Sequence, residues 1–208
     1  MSSQQHFEFP KIHSFPPLYT KQPNQTVQQQ QIESWCNILL QYCEFYKITS
    51  LTIEGAPKYS QLASTLTTSS YSKGDIPPLF VNKSINRQVN TEFRNFIITH
   101  LIHSKKAEYI NHKKPELGIF VYWRSIVDWG NLLYEYIVNT GQQGTVLTLY
   151  ELTKSDDDDD VGSSGLPQEL RNLDEELLVK IIKGYLIKQG KAQLLMTESN
   201  EIGGVKIV

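Results

Sequence analysis

The chain is poor in the residues on which small-molecule chemistry is built. It holds two cysteines and five histidines in 208 residues. Cys36 and Cys43 lie seven apart in what reads as one helix. At ~1.5 Å rise per residue their Cα atoms stand ~10 Å apart, beyond the reach of a disulfide. They read as two small apolar side chains on one face, in a cytosolic protein. There is no Gly-rich phosphate loop, no Cys-x-x-Cys and no His-Glu-x-x-His. Gly162-Ser-Ser-Gly165 lacks the Gly-x-Ser-x-Gly spacing of a nucleophile elbow. His100 and His103 are three apart on a helical stretch, with no third metal ligand suggested. His6, His13 and His112 fall in loops or tails. No enzymatic activity, cofactor or metal is expected. No apolar run approaches the ~20 residues of a membrane span. Met1-Ser-Ser-Gln-Gln-His6 lacks the basic head and apolar stretch of a signal peptide. Asn24-Gln-Thr26 and Asn82-Lys-Ser84 match the glycosylation triplet, which means little without a secretory signal.

What the chain does have is material for a core: 39% hydrophobic and 11% aromatic residues, enough for one or two domains. The net charge of −2 hides an asymmetry. Residues 1–124 carry 13 basic and 8 acidic side chains, a balance of +5, and residues 125–208 carry 7 and 14, a balance of −7. Five of those acids form Asp156–Asp160. An EF-hand loop would need Gly at the sixth position and an acid at the twelfth, where Val161 and Pro167 stand. The run reads as a solvated acidic loop over 155–165.

Hydrophobic periodicity predicts a helix over Val27–Tyr46, with Ile32, Trp35, Cys36, Leu39, Leu40, Cys43 and Tyr46 on one face. Thr26 and Gln29 resemble a capping box, and Gln28–Gln31 fall largely outside the apolar stripe. Thr49–Ile53 reads as a short strand. The Ser/Thr/Gly/Pro-rich stretch 54–80 reads as a variable insertion with a short helix near Tyr59–Leu66. A helix over Ser84–Ser104 points Ile85, Val89, Phe93, Phe96, Ile97 and Leu101 inward. The strands Lys106–Ile110 and Leu117–Trp123 follow. The plan then recurs. Ser125, with Asp128 three later, opens a helix to Thr140, closed by Gly141. Val146–Leu149 is a strand, Tyr150–Thr153 a short helix and Asp174–Gln189 a strong helix before Gly190. Lys191–Met196 and Gly204–Val208 close the chain as strands. Trp35-Cys-Asn-Ile-Leu-Leu-Gln-Tyr-Cys43 matches Trp129-Gly-Asn-Leu-Leu-Tyr-Glu-Tyr-Ile137 at an offset of 94, and Lys106-Ala-Glu-Tyr-Ile110 matches Lys191-Ala-Gln-Leu-Leu195 at 85. Helix, strand, helix, helix, hairpin is the order of a winged helix. The fold class is α+β, mostly helical: two tandem winged-helix domains, 1–124 and 125–208.

Winged helices that read DNA need Lys and Arg facing phosphates. The third helix of the second copy opens instead on Asp174, Glu175 and Glu176. In the first copy Arg87 and Arg94 lie on the third helix, a weakly basic module. Protein contact suits these surfaces better. An amino-terminal arm, rich in proline and read as extended, holds Phe7, Phe9, Phe15, Pro16, Pro17, Leu18 and Tyr19. The prolines fix φ and lower the entropy lost on docking, and Leu18 and Tyr19 offer apolar area. The arm lies in a groove, on its own domain or on a partner. Pro16-Pro17-Leu18-Tyr19 also fits the Pro-Pro-x-Tyr ligand pattern of WW domains.

Ser14-Phe-Pro-Pro-Leu-Tyr-Thr20 with Gln22-Pro-Asn24, the Trp35-Cys36 helix, Tyr122-Trp-Arg124 with Trp129-Gly130, and Leu147-Thr-Leu-Tyr-Glu-Leu-Thr153 carry a family resemblance. So do Leu173–Leu178 and Gly204-Val-Lys206. The chain resembles the vacuolar protein sorting-associated protein 25 family, the small subunits of the endosomal sorting complex ESCRT-II, over almost its whole length. The resemblance implies a non-enzymatic subunit in multivesicular-body sorting of ubiquitinated membrane cargo. It implies two copies per complex with vacuolar sorting proteins 22 and 36, and an arm whose Phe15, Pro16, Pro17, Leu18 and Tyr19 dock onto those larger subunits. It further implies that the second winged helix recruits vacuolar sorting protein 20, an ESCRT-III subunit. Ubiquitin recognition belongs to another subunit. The protein is then cytoplasmic, recruited peripherally to the endosomal membrane. The alternative is a tandem winged-helix DNA-binding or transcription-complex subunit.

Overall fold

The computed structural model describes residues 6–61, 76–154 and 165–208. Asp156–Asp160, Gly162 and the interior of the 54–80 insertion, including most of its expected short helix, lie outside them. The chain divides into two compact units, Met1–Trp123 and Arg124–Val208.

In the first unit the arm is extended at Pro10 and at Phe15 and winds into 3-10 turns at Lys11–Ser14 and Pro16–Tyr19. Helix α1 (Gln25–Phe45) follows. Its cap is Asn24, whose Oδ1 accepts from the Val27 N–H at 3.1 Å, so the expected Thr26–Gln29 box does not form. Asn ranks above Thr as a cap, and starting earlier adds helical hydrogen bonds. Strands β1 (Ile48–Leu51), β2 (Pro57–Ser60), β5 (Ala107–Tyr109) and β6 (Ile119–Val121) make one antiparallel sheet in the order β2-β1-β6-β5. Every residue of β6 is buried, which is why its sequence is apolar on both faces. Gly118, at φ +103°, lets β6 pass β1: a Cβ there would stand 2.2 Å from the Leu51 carbonyl oxygen.

The helix expected over Ser84–Ser104 is half right. Helix α2 spans Thr91–His103, capped by Asn90. Ahead of it, β3 (Val81–Asn82) and β4 (Arg87–Gln88) form a hairpin that turns through Asn86 at φ 51°. Asn accepts the left-handed conformation that a helix forbids, and turn chemistry overrides the apolar spacing of Ile85 and Val89. Arg87 is therefore on a strand. Phe96 points out, 37% exposed, with the Lys21 ammonium 4.3 Å from its ring centre. Trp35, Tyr42, Tyr46, Phe93 and Ile97 fill the core.

In the second unit, α3 (Ile126–Asn139) opens at Ser125, with Asp128 three later, as expected. Ser125 Oγ accepts from the Asp128 N–H at 3.0 Å and donates to Asp128 Oδ2 at 2.6 Å. Trp129, Leu133 and Ile137 face inward. Tyr150–Thr153 is a turn rather than a short helix. Helix α4 (Glu175–Ile181), capped by Asp174, continues as a single π turn, Ile182–Leu186. The wider turn seats the Tyr185 ring on Gly130, where a Cβ would meet its Cδ1 at 2.3 Å, and the phenol donates to Asn131 Oδ1 at 2.8 Å. Strands β7 (Val146–Leu147), β9 (Ile202–Ile207) and β8 (Ala192–Met196) close the unit as an antiparallel sheet in that spatial order. The second unit runs helix, strand, helix, hairpin, and the first keeps that order with β2 and the β3–β4 hairpin added between β1 and α2. This is the winged-helix plan in an α+β fold, without the middle helix among the described residues.

Candidate functional site

The arm binds its own unit through one side and shows the other to solvent. Pro16 and Pro17 have their φ fixed by the ring, a value that a 3-10 turn accepts without strain. The turn rotates Leu18 and Tyr19 inward, each 3% exposed, against Trp35. The Tyr19 phenol donates to the His13 carbonyl at 2.7 Å. Burial pushes that phenol up to about 12, opposed by a hydrogen bond with Asn82. Asn82 Nδ2 also donates to the His13 carbonyl at 3.0 Å and faces His13 Nδ1 at 3.2 Å. His13, read from sequence as a loop residue, is buried and stacked on Phe9 with ring centres 4.0 Å apart. Desolvation lowers its pKa, against a raising contribution from the Leu79 backbone. Further back, the Phe7 N–H donates to the Tyr46 hydroxyl at 3.0 Å.

Two α1 side chains hold the turn by its backbone. Trp35 Nε1 donates to the Leu18 carbonyl at 2.9 Å. Gln31 is buried, not outside the stripe, and its Nε2 lies 3.0, 2.9 and 2.8 Å from the carbonyls of Pro17, Leu18 and Thr20. The signal was present: Gln31 lies one helical turn before Trp35, on the same face.

Of the five expected contact residues, Phe15, Pro16 and Pro17 are exposed, and Leu18 and Tyr19 are not. Phe15 is 56% exposed. With Ile12, Pro17, Leu18 and Val27 it borders an open cavity of about 380 Å³. A WW groove must enclose the tyrosine ring of its ligand, so the folded arm does not offer Pro16–Tyr19 to one.

Neither cysteine is set up for reaction. Burial pushes the Cys36 thiol up to about 12, helped by the Glu33 charge, and pushes Cys43 up as well, so neither forms the thiolate that reactivity needs. Among the described residues no cluster of three His, Cys, Asp or Glu could hold a metal, and no helix is long and apolar enough to cross a membrane. On the second unit, Val146, Tyr150, Leu195 and Met196 are exposed apolar side chains.

Two winged-helix units behind a proline-rich arm define the class. A family model described as "ESCRT-II complex subunit" matches residues 12–167, and the chain belongs to that family. Its relatives include the vacuolar protein-sorting-associated protein 25 of Saccharomyces cerevisiae, 30% identical with 96% of this chain and 98% of that protein covered. The Homo sapiens protein of the same name is 28% identical, with 96% and 97% covered. Among solved structures, subunit VPS25 of the endosomal trafficking complex ESCRT-II superposes with a TM-score of 0.76 at 27% identity, covering 96% of this chain and 98% of that one. A chain of the VPS22/VPS25/VPS36 complex superposes at 0.74, with the same identity and coverage.

Proposed function

We propose that this chain is a non-enzymatic subunit of an ESCRT-II complex that sorts ubiquitinated membrane cargo into multivesicular bodies. Its partners are the counterparts of VPS22 and VPS36, with two copies of this chain per complex. Residues 1–124 supply the assembly contact through the arm. Residues 125–208 engage the VPS20 counterpart of ESCRT-III and start its assembly. The protein is cytoplasmic and reaches the endosomal membrane through the complex, with no ubiquitin or nucleic-acid site of its own. The observation that carries the docking reading is Phe15, a large aromatic left 56% exposed at the head of a turn whose Leu18 and Tyr19 are buried and whose carbonyls are held by α1. Phe15, Pro16 and Pro17 make the contact, and Leu18 and Tyr19 support them from beneath.

Co-expression with the two larger subunits tests this. The native mass should correspond to two copies of this chain with one of each partner. Phe15→Ala should weaken assembly by about 2 kcal/mol, as loss of an interface anchor does, while the chain itself stays folded. Complexes of unchanged mass and affinity with Phe15→Ala would remove the arm from the assembly contact.

A further inference from the structure

Gln31 is out of place by composition. It is 5% exposed on a helix face otherwise made of Ile32, Trp35, Ile38 and Leu39. A buried primary amide brings two donors and an acceptor that must be satisfied. All its partners here belong to the arm. Nε2 addresses the carbonyls of Pro17, Leu18 and Thr20, and Oε1 accepts from the Gln22 N–H at 3.2 Å. Each partner is a backbone group, so the clamp sets where the arm runs without depending on the side chains it carries. Gln31 is also among the residues that line the cavity bordered by Phe15.

We infer that Gln31 is the positioning residue of the docking surface: it fixes the Pro17–Gln22 backbone so that Leu18 and Tyr19 turn inward and Phe15 turns out, ready-made for a partner. A clamped turn loses little entropy on association, whereas a loose one must be ordered at that moment. The inference rests on the docking reading above. It assigns the specificity of that surface to a residue no partner need touch.

The test uses the full chain with Gln31→Met, which keeps the length of the side chain and removes its polar atoms. Gln31→Glu is the companion, keeping the shape and setting an oxygen against three carbonyls. Amide hydrogen exchange is read on the chain alone, and affinity is read against the co-purified VPS22–VPS36 pair. Both variants should speed exchange at Leu18, Thr20 and Gln22 by about tenfold or more and leave mid-α1 amides unchanged. Affinity should fall about tenfold, and in a Phe15→Ala background the Gln31 substitution should add no further loss, because both act through one contact. A purely stabilising role predicts additive losses, and additivity overturns the inference. So does unchanged exchange, or unchanged affinity where Phe15→Ala does weaken binding. If Phe15→Ala leaves affinity intact, the docking reading itself falls and positioning falls with it. The exchange data, taken without a partner, then still report whether Gln31 holds the arm.

Discussion

Tyr19 and Phe15 are four residues apart and face opposite ways, so their truncations should separate stability from assembly. Tyr19→Ala empties a buried site beside Trp35 and strips a partner from the His13 carbonyl. It should destabilise the first unit by about 3 kcal/mol, measured as a lower urea midpoint of the isolated chain. Phe15→Ala should stay within about 0.5 kcal/mol in the same measurement. His13 adds a pH dependence. Asn82 Nδ2 is a donor, so Nδ1 facing it must accept, and a proton placed there would set donor against donor. The folded pKa lies below the ordinary 6.5 because of burial. Between that value and 6.5 the unfolded chain binds the extra proton, so stability is complete above 6.5 and drains away as pH falls through the window. Thermal midpoints from pH 7.5 to 5.5 should fall more steeply for the wild-type chain than for His13→Gln. If the two slopes coincide, His13 is not the titrating group. The Pro-Pro-Leu-Tyr motif was legible at this scale as a set of anchors. Which way each faced was not, because the bonds that Gln31 and Asn82 make to the carbonyls of the arm follow no motif, even where, as for Gln31, the helical face was readable.

At the scale of elements, strong periodicity and good caps were readable. Trp35, Trp129 and the Ser125 cap of α3 stand where the letters put them, and the wing strands differ by a residue or two at their ends. The errors fall where one local signal overrode another. Asn86 and Asn90 cut the expected third helix of the first unit into a hairpin and a shorter helix, and a π turn interrupts the one in the second. The two copies also end this helix in the same way. The Lys105 N–H donates to the Ile102 carbonyl and that of Gly190 to Ile187, both at 2.9 Å. The next amides, Lys106 and Lys191, reach back to Leu101 and Leu186 at 3.0 and 2.8 Å. Every one of these pairs is offset by 85, as in the sequence repeat. Both helix-ending residues are left-handed, Gly190 at φ 67° and Lys105 at φ 58°. Glycine accepts that conformation freely, whereas a side chain costs about 1 kcal/mol there. Lys105→Gly should therefore raise the stability of the first unit by up to about 1 kcal/mol in denaturant unfolding. A loss of stability would mean that the Lys105 side chain carries a contact outweighing its strain.

For the whole molecule, charge decides which partners the winged helices can take. A fold of this kind reads DNA when its third helix meets phosphates with positive side chains, since counterion release supplies most of the affinity. Here α4 meets its surroundings with Asp174, Glu175 and Glu176, and Asp174 is committed to capping, its Oδ1 accepting from the Leu177 N–H at 3.0 Å. In the first unit Arg87 has left the helix for a hairpin, so α2 carries Arg94 as its only arginine or lysine. In the second unit Lys180, Lys183 and Lys188 follow those acids, but the start of α4, the end a DNA reader turns to bases and phosphates, is acidic, in a half whose balance is −7. Titrating a fluorescent duplex with the full chain at physiological salt should show no binding in the ~1–100 µM range where non-specific DNA binders respond. The acidic half predicts the opposite toward a basic helix. If the VPS20 counterpart is engaged there, its affinity for the assembled complex should fall as salt rises over a Debye length of about 10 Å and less, whereas the contact made by Phe15 should hardly change. Duplex binding with a steep salt slope would return the chain to the DNA-reading alternative. Salt-independent capture of the helix would move the recognition from the charges to the exposed Val146, Leu195 and Met196.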